Sequence, residues 1–206
     1  MKLIKCECCG GNQWQKQAGN IIICSFCGSV YRLDNDENIL SKEAVDEKIM
    51  SLYIESEKCR RANNYDVEIQ YLIRAMELDE NRPMTWLKLG RAYRMSGVYE
   101  EAIKCYNKVI SIDSKIPQSY QNMGSVYLVK KDYKKAIEYY ERAMELFADK
   151  DSDYIIALGN YGIAVALNGD KKRGAKLINK AEKMGYTNAE GARKMAGLGF
   201  YTRFLK

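Results

Sequence analysis

Histidine is absent from all 206 residues. That excludes a histidine base, a histidine-containing triad and any imidazole metal ligand. Proline occurs only twice, which favours helices over an all-β fold. Long apolar runs are also missing. Stretches such as Ile21–Ile23 are far too short to span a bilayer. Met1–Lys5 reaches Cys6 with no room for the apolar core of a signal peptide, so a cytoplasmic location is expected. There is no Gly-x4-Gly-Lys-Ser/Thr loop and no dinucleotide fingerprint behind a strand. The carboxylates fall on polar helix faces without pairing. No catalytic constellation emerges, and a non-enzymatic protein is expected.

What the chain does contain is ordinary globular material: 47% apolar and 29% charged residues, with a net charge of +6. The charge is uneven. Residues 155–206 carry ten basic against three acidic side chains, +7, with dense points at Lys171-Lys172-Arg173 and Arg193-Lys194. This end suits an acidic partner or an anionic lipid, or it is simply a solubilising surface.

Five of the seven cysteines lie in the first 27 residues. In a reducing compartment such a cluster points to metal rather than to disulfides. Cys6-x-x-Cys9 and Cys24-x-x-Cys27 form two pairs with 14 residues between them, the arrangement of a four-thiolate tetrahedral site. Gly10 and Gly28 follow the two pairs and tolerate the positive φ that turns backbone amides toward sulfur. Gln13–Gln17 and Ile21–Cys24 read as strands around an Ala18-Gly19-Asn20 turn, with a third strand over Ser29–Leu33. Residues 3–33 resemble a zinc ribbon. Cys6, Cys9, Cys24 and Cys27 are the expected ligands of one structural zinc ion, with iron as the chemical rival at four thiolates. Cys6-x-Cys8 could compete as a ligand pair, but Cys6 with Cys9 is preferred, because only that pairing repeats the two-residue spacing and the trailing glycine. Cys59 and Cys105 are expected in the helical core.

Residues 34–48 are acidic and polar and read as a linker running into a helix, with Ser41 as its N-cap. Beyond them the chain repeats. A shift of 34 carries Trp86 to Tyr120, Gly90 to Gly124, Tyr93 to Tyr127, Ala102 to Ala136 and Tyr106 to Tyr140. A further shift of 38 reaches Leu158, Gly162, Val165, Gly174 and Ile178, the extra residues falling in the polar stretch 149–153. Shifting back by 34 gives a degenerate copy with Leu52, Ser56, Cys59, Leu72 and Ala75. Trp86-x-x-Leu89-Gly90-x-x-Tyr93, followed by Ala102 and Tyr106, resembles the tetratricopeptide repeat. Repeats are expected at 49–82, 83–116, 117–153 and 154–187, and residues 188–206, with Ala189, Ala192, Met195 and Phe200 at helical spacing, as a cap.

The expected fold is therefore all-α: a helical-hairpin solenoid of about four repeats and a capping helix over 49–206, behind a small β zinc ribbon over 1–33 and the 34–48 linker. The resemblance implies that the first helix of each repeat lines a concave groove. Tyr53, Arg60, Arg61, Leu87, Arg91, Arg94, Gln118, Gln121, Asn122, Ser125 and Asn160 would then face a peptide. The asparagine amides can pair with a peptide backbone, and the arginines can grip carboxylates. The lysine and asparagine set that clamps acidic chaperone tails is not found. An interaction scaffold for a protein or peptide, including one that bears acidic residues, is the first expectation. The alternative is nucleic-acid binding by the ribbon, where Lys2, Lys5, Lys16 and Arg32 mix with Trp14, Phe26 and Tyr31.

Overall fold

A computed structural model describes residues 6, 8–17, 21–33, 39–40, 42–148 and 150–198. The Ala18-Gly19-Asn20 turn, linker residues 34–38, the Ser41 cap, Asp149, Phe200, Lys2 and Lys5 lie outside the described residues, as do the side chains of Arg32, Ile39 and Leu40. The chain divides into two compact units at Thr85 and Trp86.

The first unit opens with a four-stranded antiparallel sheet in the order β1-β2-β3-β4: β1 Trp14–Lys16, β2 Ile21–Cys24, β3 Val30–Leu33 and β4 Ile39–Leu40. Trp14 pairs with Cys24, Ile22 with Tyr31, and Leu33 with Ile39. The fourth strand lies within the stretch expected as linker, and helix α1 (Lys42–Arg61) follows directly. The first helix thus begins at Lys42, within the stretch expected to run into a helix, and seven residues before the expected start of the repeats at 49. Helix α2 (Tyr65–Leu78) packs back on α1, burying Ile49, Tyr53, Leu72 and Ala75. Ser56, which stands where the later repeats have glycine, is also buried and donates its hydroxyl to the Tyr53 carbonyl at 2.8 Å.

Helix α3 (Pro83–Met95) begins in the first unit and runs into the second. It is followed by α4 (Tyr99–Ile112), α5 (Pro117–Val129), α6 (Tyr133–Leu146), α7 (Ser152–Leu167), α8 (Lys171–Lys183) and a short α9 (Ala189–Met195). Both prolines of the chain stand at the first position of a helix, where the missing N–H costs nothing. Asn64, Asp132, Asp151 and Asp170 cap α2, α6, α7 and α8 by accepting backbone N–H bonds from Val67, Lys135, Tyr154 and Arg173.

The turn inside each hairpin is built the same way four times. Asn63, Gly97, Lys131 and Gly169 take positive φ values of 55°, 84°, 62° and 110°. The next residue's N–H returns to the carbonyls of Cys59, Tyr93, Tyr127 and Val165 respectively. This left-handed C-terminal closure satisfies carbonyls that the helix end leaves open. It also fixes the angle at which the second helix departs.

In the second unit Ala102, Tyr106, Met123 and Val126 form one buried cluster, and Ala136, Tyr140, Leu158, Tyr161 and Ala181 belong to the next. Ala175, Ile178, Ala189, Ala192 and Leu198 form the terminal one. Cys105 is buried as expected, whereas Cys59 is only half-buried.

Candidate metal centre and binding face

The two cysteine turns are copies of one local fold. In the first, the Gly10 N–H donates to the Cys6 carbonyl at 2.7 Å and the Cys6 N–H to the Gly11 carbonyl at 2.7 Å. In the second, the Gly28 N–H donates to Cys24 and the Cys24 N–H to Ser29, both at 2.9 Å. Gly10 and Gly28 sit at φ 74° and 73°, so each turn requires its glycine. The sheet then places the turns face to face.

The result is a cluster of four sulfurs, from Cys6, Cys9, Cys24 and Cys27, all within 4.8 Å of one another. Cys6 Sγ lies 3.5 Å from Cys27 Sγ, and Cys9 Sγ 3.6 Å from Cys24 Sγ. These are contacts of free thiols, not disulfides. A zinc ion bound by four thiolates at about 2.3 Å requires sulfurs about 3.8 Å apart, so the donor set fits a tetrahedral cation. Cys8 is exposed and outside the cluster.

Two neighbours support the sulfurs. The Tyr31 hydroxyl lies 3.4 Å from Cys6 Sγ, and the Ser29 hydroxyl 3.1 Å from Cys27 Sγ. The hydroxyl of Tyr31 holds the Cys6 thiol down to about 6, and that of Ser29 lowers Cys27, so both favour the charged ligand form. Sequence reasoning did not assign Ser29 and Tyr31 to the thiolates. Their signal is position alone: Ser29 follows the knuckle glycine, and Tyr31 faces Ile22 across the sheet. Tyr31 is further fixed edge-on to Trp14 at 5.2 Å between ring centroids. Of the ribbon residues considered for nucleic acid, Lys16 and Phe26 are exposed and Trp14 and Tyr31 are half-buried.

The second candidate site is the set of first helices in the second unit. Each hairpin is locked by a glycine pressed against a large residue of the helix that follows. A Cβ on Gly90 would lie 2.6 Å from the Tyr106 ring, and one on Gly124 2.9 Å from the Tyr140 ring. Burial pushes the hydroxyls of both tyrosines up, with the Arg94 charge opposing the rise in each case. Tyr140 hydrogen-bonds Ser125 Oγ at 3.0 Å.

Two family models match here, "TPR repeat" over residues 90–129 and "Tetratricopeptide repeat" over residues 115–184. The paired helices over residues 90–184 are tetratricopeptide repeats. Solved structures agree on the fold. The MamA protein is 23% identical, with 74% of this chain and 85% of that chain covered at a TM-score of 0.57. The translocator chaperone SycD of Yersinia enterocolitica type III secretion is 21% identical over 60% of this chain and 92% of its own, with a TM-score of 0.55. An O-GlcNAc transferase mutant of Thermobaculum terrenum reaches a TM-score of 0.62 at 16% identity, over 70% of this chain but only 27% of that one. At these identities the likeness is one of fold. No curated protein sequence matches this one.

The residues expected on the tetratricopeptide groove are differently committed. In the first unit Tyr53 is buried, with its hydroxyl 2.5 Å from Thr85 Oγ1, and so packs rather than faces solvent. Arg60 is paired with Glu57 through two guanidinium nitrogens, and Arg61 is exposed. In the second unit Leu87, Arg91 and Arg94 on α3 are half-buried. Gln118 donates to Asp153 at 3.1 Å, Ser125 to the Gln121 carbonyl at 3.0 Å and Asn122 to the Gln118 carbonyl at 2.9 Å. Asn160 accepts from the Tyr186 hydroxyl at 3.4 Å. Tyr186, which sequence reasoning passed over, also covers Gly159, where a Cβ would lie 2.5 Å from its ring. No helix among the described residues is long and apolar enough to cross a membrane.

Proposed function

We propose that this protein is a non-enzymatic interaction scaffold. Its tetratricopeptide helices hold an extended, acidic segment of a partner protein, and its ribbon is stapled by one structural zinc ion. The reading of the helices rests on Arg91 and Arg94. They stand one turn apart on α3, and the Arg94 charge reaches the buried hydroxyls of both Tyr106 and Tyr140. Guanidinium groups held partly out of water recognise carboxylates bidentately. Asn122 and Asn160, at equivalent places on α5 and α7, each keep part of their amide for a peptide backbone.

The test uses a panel of labelled peptides with dispersed Asp and Glu residues. The wild-type chain is expected to select some of them. Arg91→Glu with Arg94→Glu should weaken those complexes about tenfold or more while the helical signal is unchanged. Undiminished binding by the double variant would remove the groove from consideration.

The metal reading rests on the four sulfurs. Four thiolates fill a tetrahedral shell, which leaves no position for a reacting water and makes the role structural. A cysteine cluster that suits a metal rather than disulfides is the usage of a reducing compartment, which supports a cytoplasmic location. Elemental analysis should give one zinc per chain, lost in Cys24→Ser and kept in Cys8→Ser. The visible absorption of an iron–thiolate centre in the native protein would identify iron instead.

A further inference from the structure

Helix α8 carries a surface that neither site above uses. All of its exposed residues are charged: Lys171, Lys172, Arg173, Lys176, Lys180, Glu182 and Lys183. Its apolar residues are turned inward, with Ala175, Ile178 and Ala181 fully buried. Lys172, Lys176, Lys180 and Lys183 fall within about 80° of arc, and the first three follow one another about 6 Å apart along the helix axis.

The charges that could neutralise this row are drawn elsewhere. Glu182 is paired with Arg193 of α9, which also donates to Asn179 at 2.8 Å. Glu141 of α6 is held at 3.2 Å by Arg173, which also donates to the Tyr161 hydroxyl. The four lysines of the row have no anionic partner among the described residues. Like charges four residues apart repel along a helix. Cations in the first turn, here Lys171, Lys172 and Arg173, also oppose the helix dipole. The first turns of α2 and α4 carry acids, Asp66 and Glu68 in one and Glu100 and Glu101 in the other, whereas α6, like α8, opens on lysines, Lys134 and Lys135. Arg173 ties α8 to Glu141 and Tyr161, but the four lysines of the row gain no ion pair from this arrangement.

We infer that the α8 lysine row is a binding surface for the phosphodiester backbone of a double-helical nucleic acid. The chemistry selects that partner. Ammonium groups are point charges suited to phosphate, whereas planar carboxylate recognition favours arginine. A folded protein partner would need aromatic or aliphatic anchors, and the α8 row exposes none. A lipid surface calls for a broad basic patch or an inserting apolar face. Here the row is one helix wide and Glu141 stands on its α6 side. Stacking on single-stranded bases needs exposed aromatics, which α8 also lacks. A duplex asks only for cations in line, read without regard to sequence. This inference is independent of the groove, because it concerns the exposed face of a second helix.

The experiment is fluorescence anisotropy of the full chain with short labelled duplexes of DNA and of RNA, across a salt series. With four lysines engaged, log affinity should fall against log salt with a slope of about −3 to −4. Lys172→Gln with Lys176→Gln and Lys180→Gln should flatten that slope by about 2–3 and lower low-salt affinity about tenfold or more. All three sites are exposed, so the circular dichroism should not change. Lys104→Gln on α4, an exposed lysine paired with Glu101, should leave both values unchanged. DNA and RNA arms of equal strength fit backbone recognition, and a preference between them names the source. Equal duplex binding by the triple variant would overturn the inference. So would capture of polyglutamate or phosphatidylserine vesicles by the row in the absence of duplex binding.

Discussion

Gly162 on α7 and Gly174 on α8 touch backbone to backbone. A Cβ on Gly174 would lie 2.6 Å from the Gly162 carbonyl oxygen and 2.7 Å from the Ala166 nitrogen. In the two preceding repeats the position of Gly174 is held by Ala102 and Ala136, and a tyrosine packs on the glycine of the first helix. In the last repeat Ile178 takes the tyrosine's place and the helices close in. What reads in the sequence as a lapse from the repeat is a backbone-to-backbone contact between the two helices.

Gly174→Ala separates two expectations. Helix propensity alone favours alanine over glycine by roughly 1 kcal/mol. The backbone overlap costs more, because α7 would have to move away from α8, and overpacking of this kind costs about 1–3 kcal/mol. The variant should therefore be less stable than the parent in urea denaturation. A gain in stability would show that the two helices are free to separate.

Lys131 occupies a left-handed turn at φ 62° without being glycine. A β-carbon there costs about 1–2 kcal/mol, part of which a glycine returns as extra freedom in the unfolded chain. Lys131→Gly should raise the melting temperature of the array by about 1–3 °C. Gly97→Ala, at the same place one repeat earlier with φ 84°, should lower it by a similar amount. Scanning calorimetry of the pair reads both signs.

Removing metal should act locally. The ribbon has few buried residues of its own, chiefly Cys6, Ile22, Cys24 and Leu33, and a module of that size needs a staple. A chelator should abolish the dispersed ribbon amide signals in an NMR spectrum while the helical signals persist. Loss of the whole helical spectrum would mean that the array depends on the ribbon.

Acid should release the metal, since each ligand must be a thiolate. The Tyr31 hydroxyl lowers the metal-free Cys6 thiol to about 6, which favours its charged ligand form at neutral pH. A lowered group favours the folded site above its ordinary value and loses that contribution on the acid side. Tyr31→Phe should move the midpoint of metal release to higher pH, followed with a zinc-sensitive dye. An unmoved midpoint would leave Tyr31 a purely packing residue.

The contact of buried Tyr140 with half-buried Ser125 gives a measure of the array's polar interior. Ser125→Ala leaves the Tyr140 hydroxyl without the partner it has at 3.0 Å. A buried polar group left unsatisfied costs about 1–3 kcal/mol. Ser125→Ala should therefore destabilise by more than Tyr140→Phe, which removes the buried hydroxyl itself, and denaturant melts of the two variants test the order.

Much of this was legible in the sequence, because it depends on local chemistry. The two Cys-x-x-Cys pairs and their glycines act over a few residues, so spacing announced the sulfur cluster. The periods of 34 and 38 announced the helix pairs, since each hairpin buries the same apolar positions. Other features depended on which residues meet across the fold. The β4 strand needs β3 beside it, and the loss of Tyr53 from the groove needs Thr85 within reach of its hydroxyl. The Gly162–Gly174 contact and the unneutralised row on α8 arise only once α6, α7, α8 and α9 are packed, because that packing draws Glu182 to Arg193 and Glu141 to Arg173. Sequence determines which residues can pair. Tertiary structure decides which do, because hydrogen bonds and close packing act over a few ångströms and proximity along the chain does not supply them between distant residues.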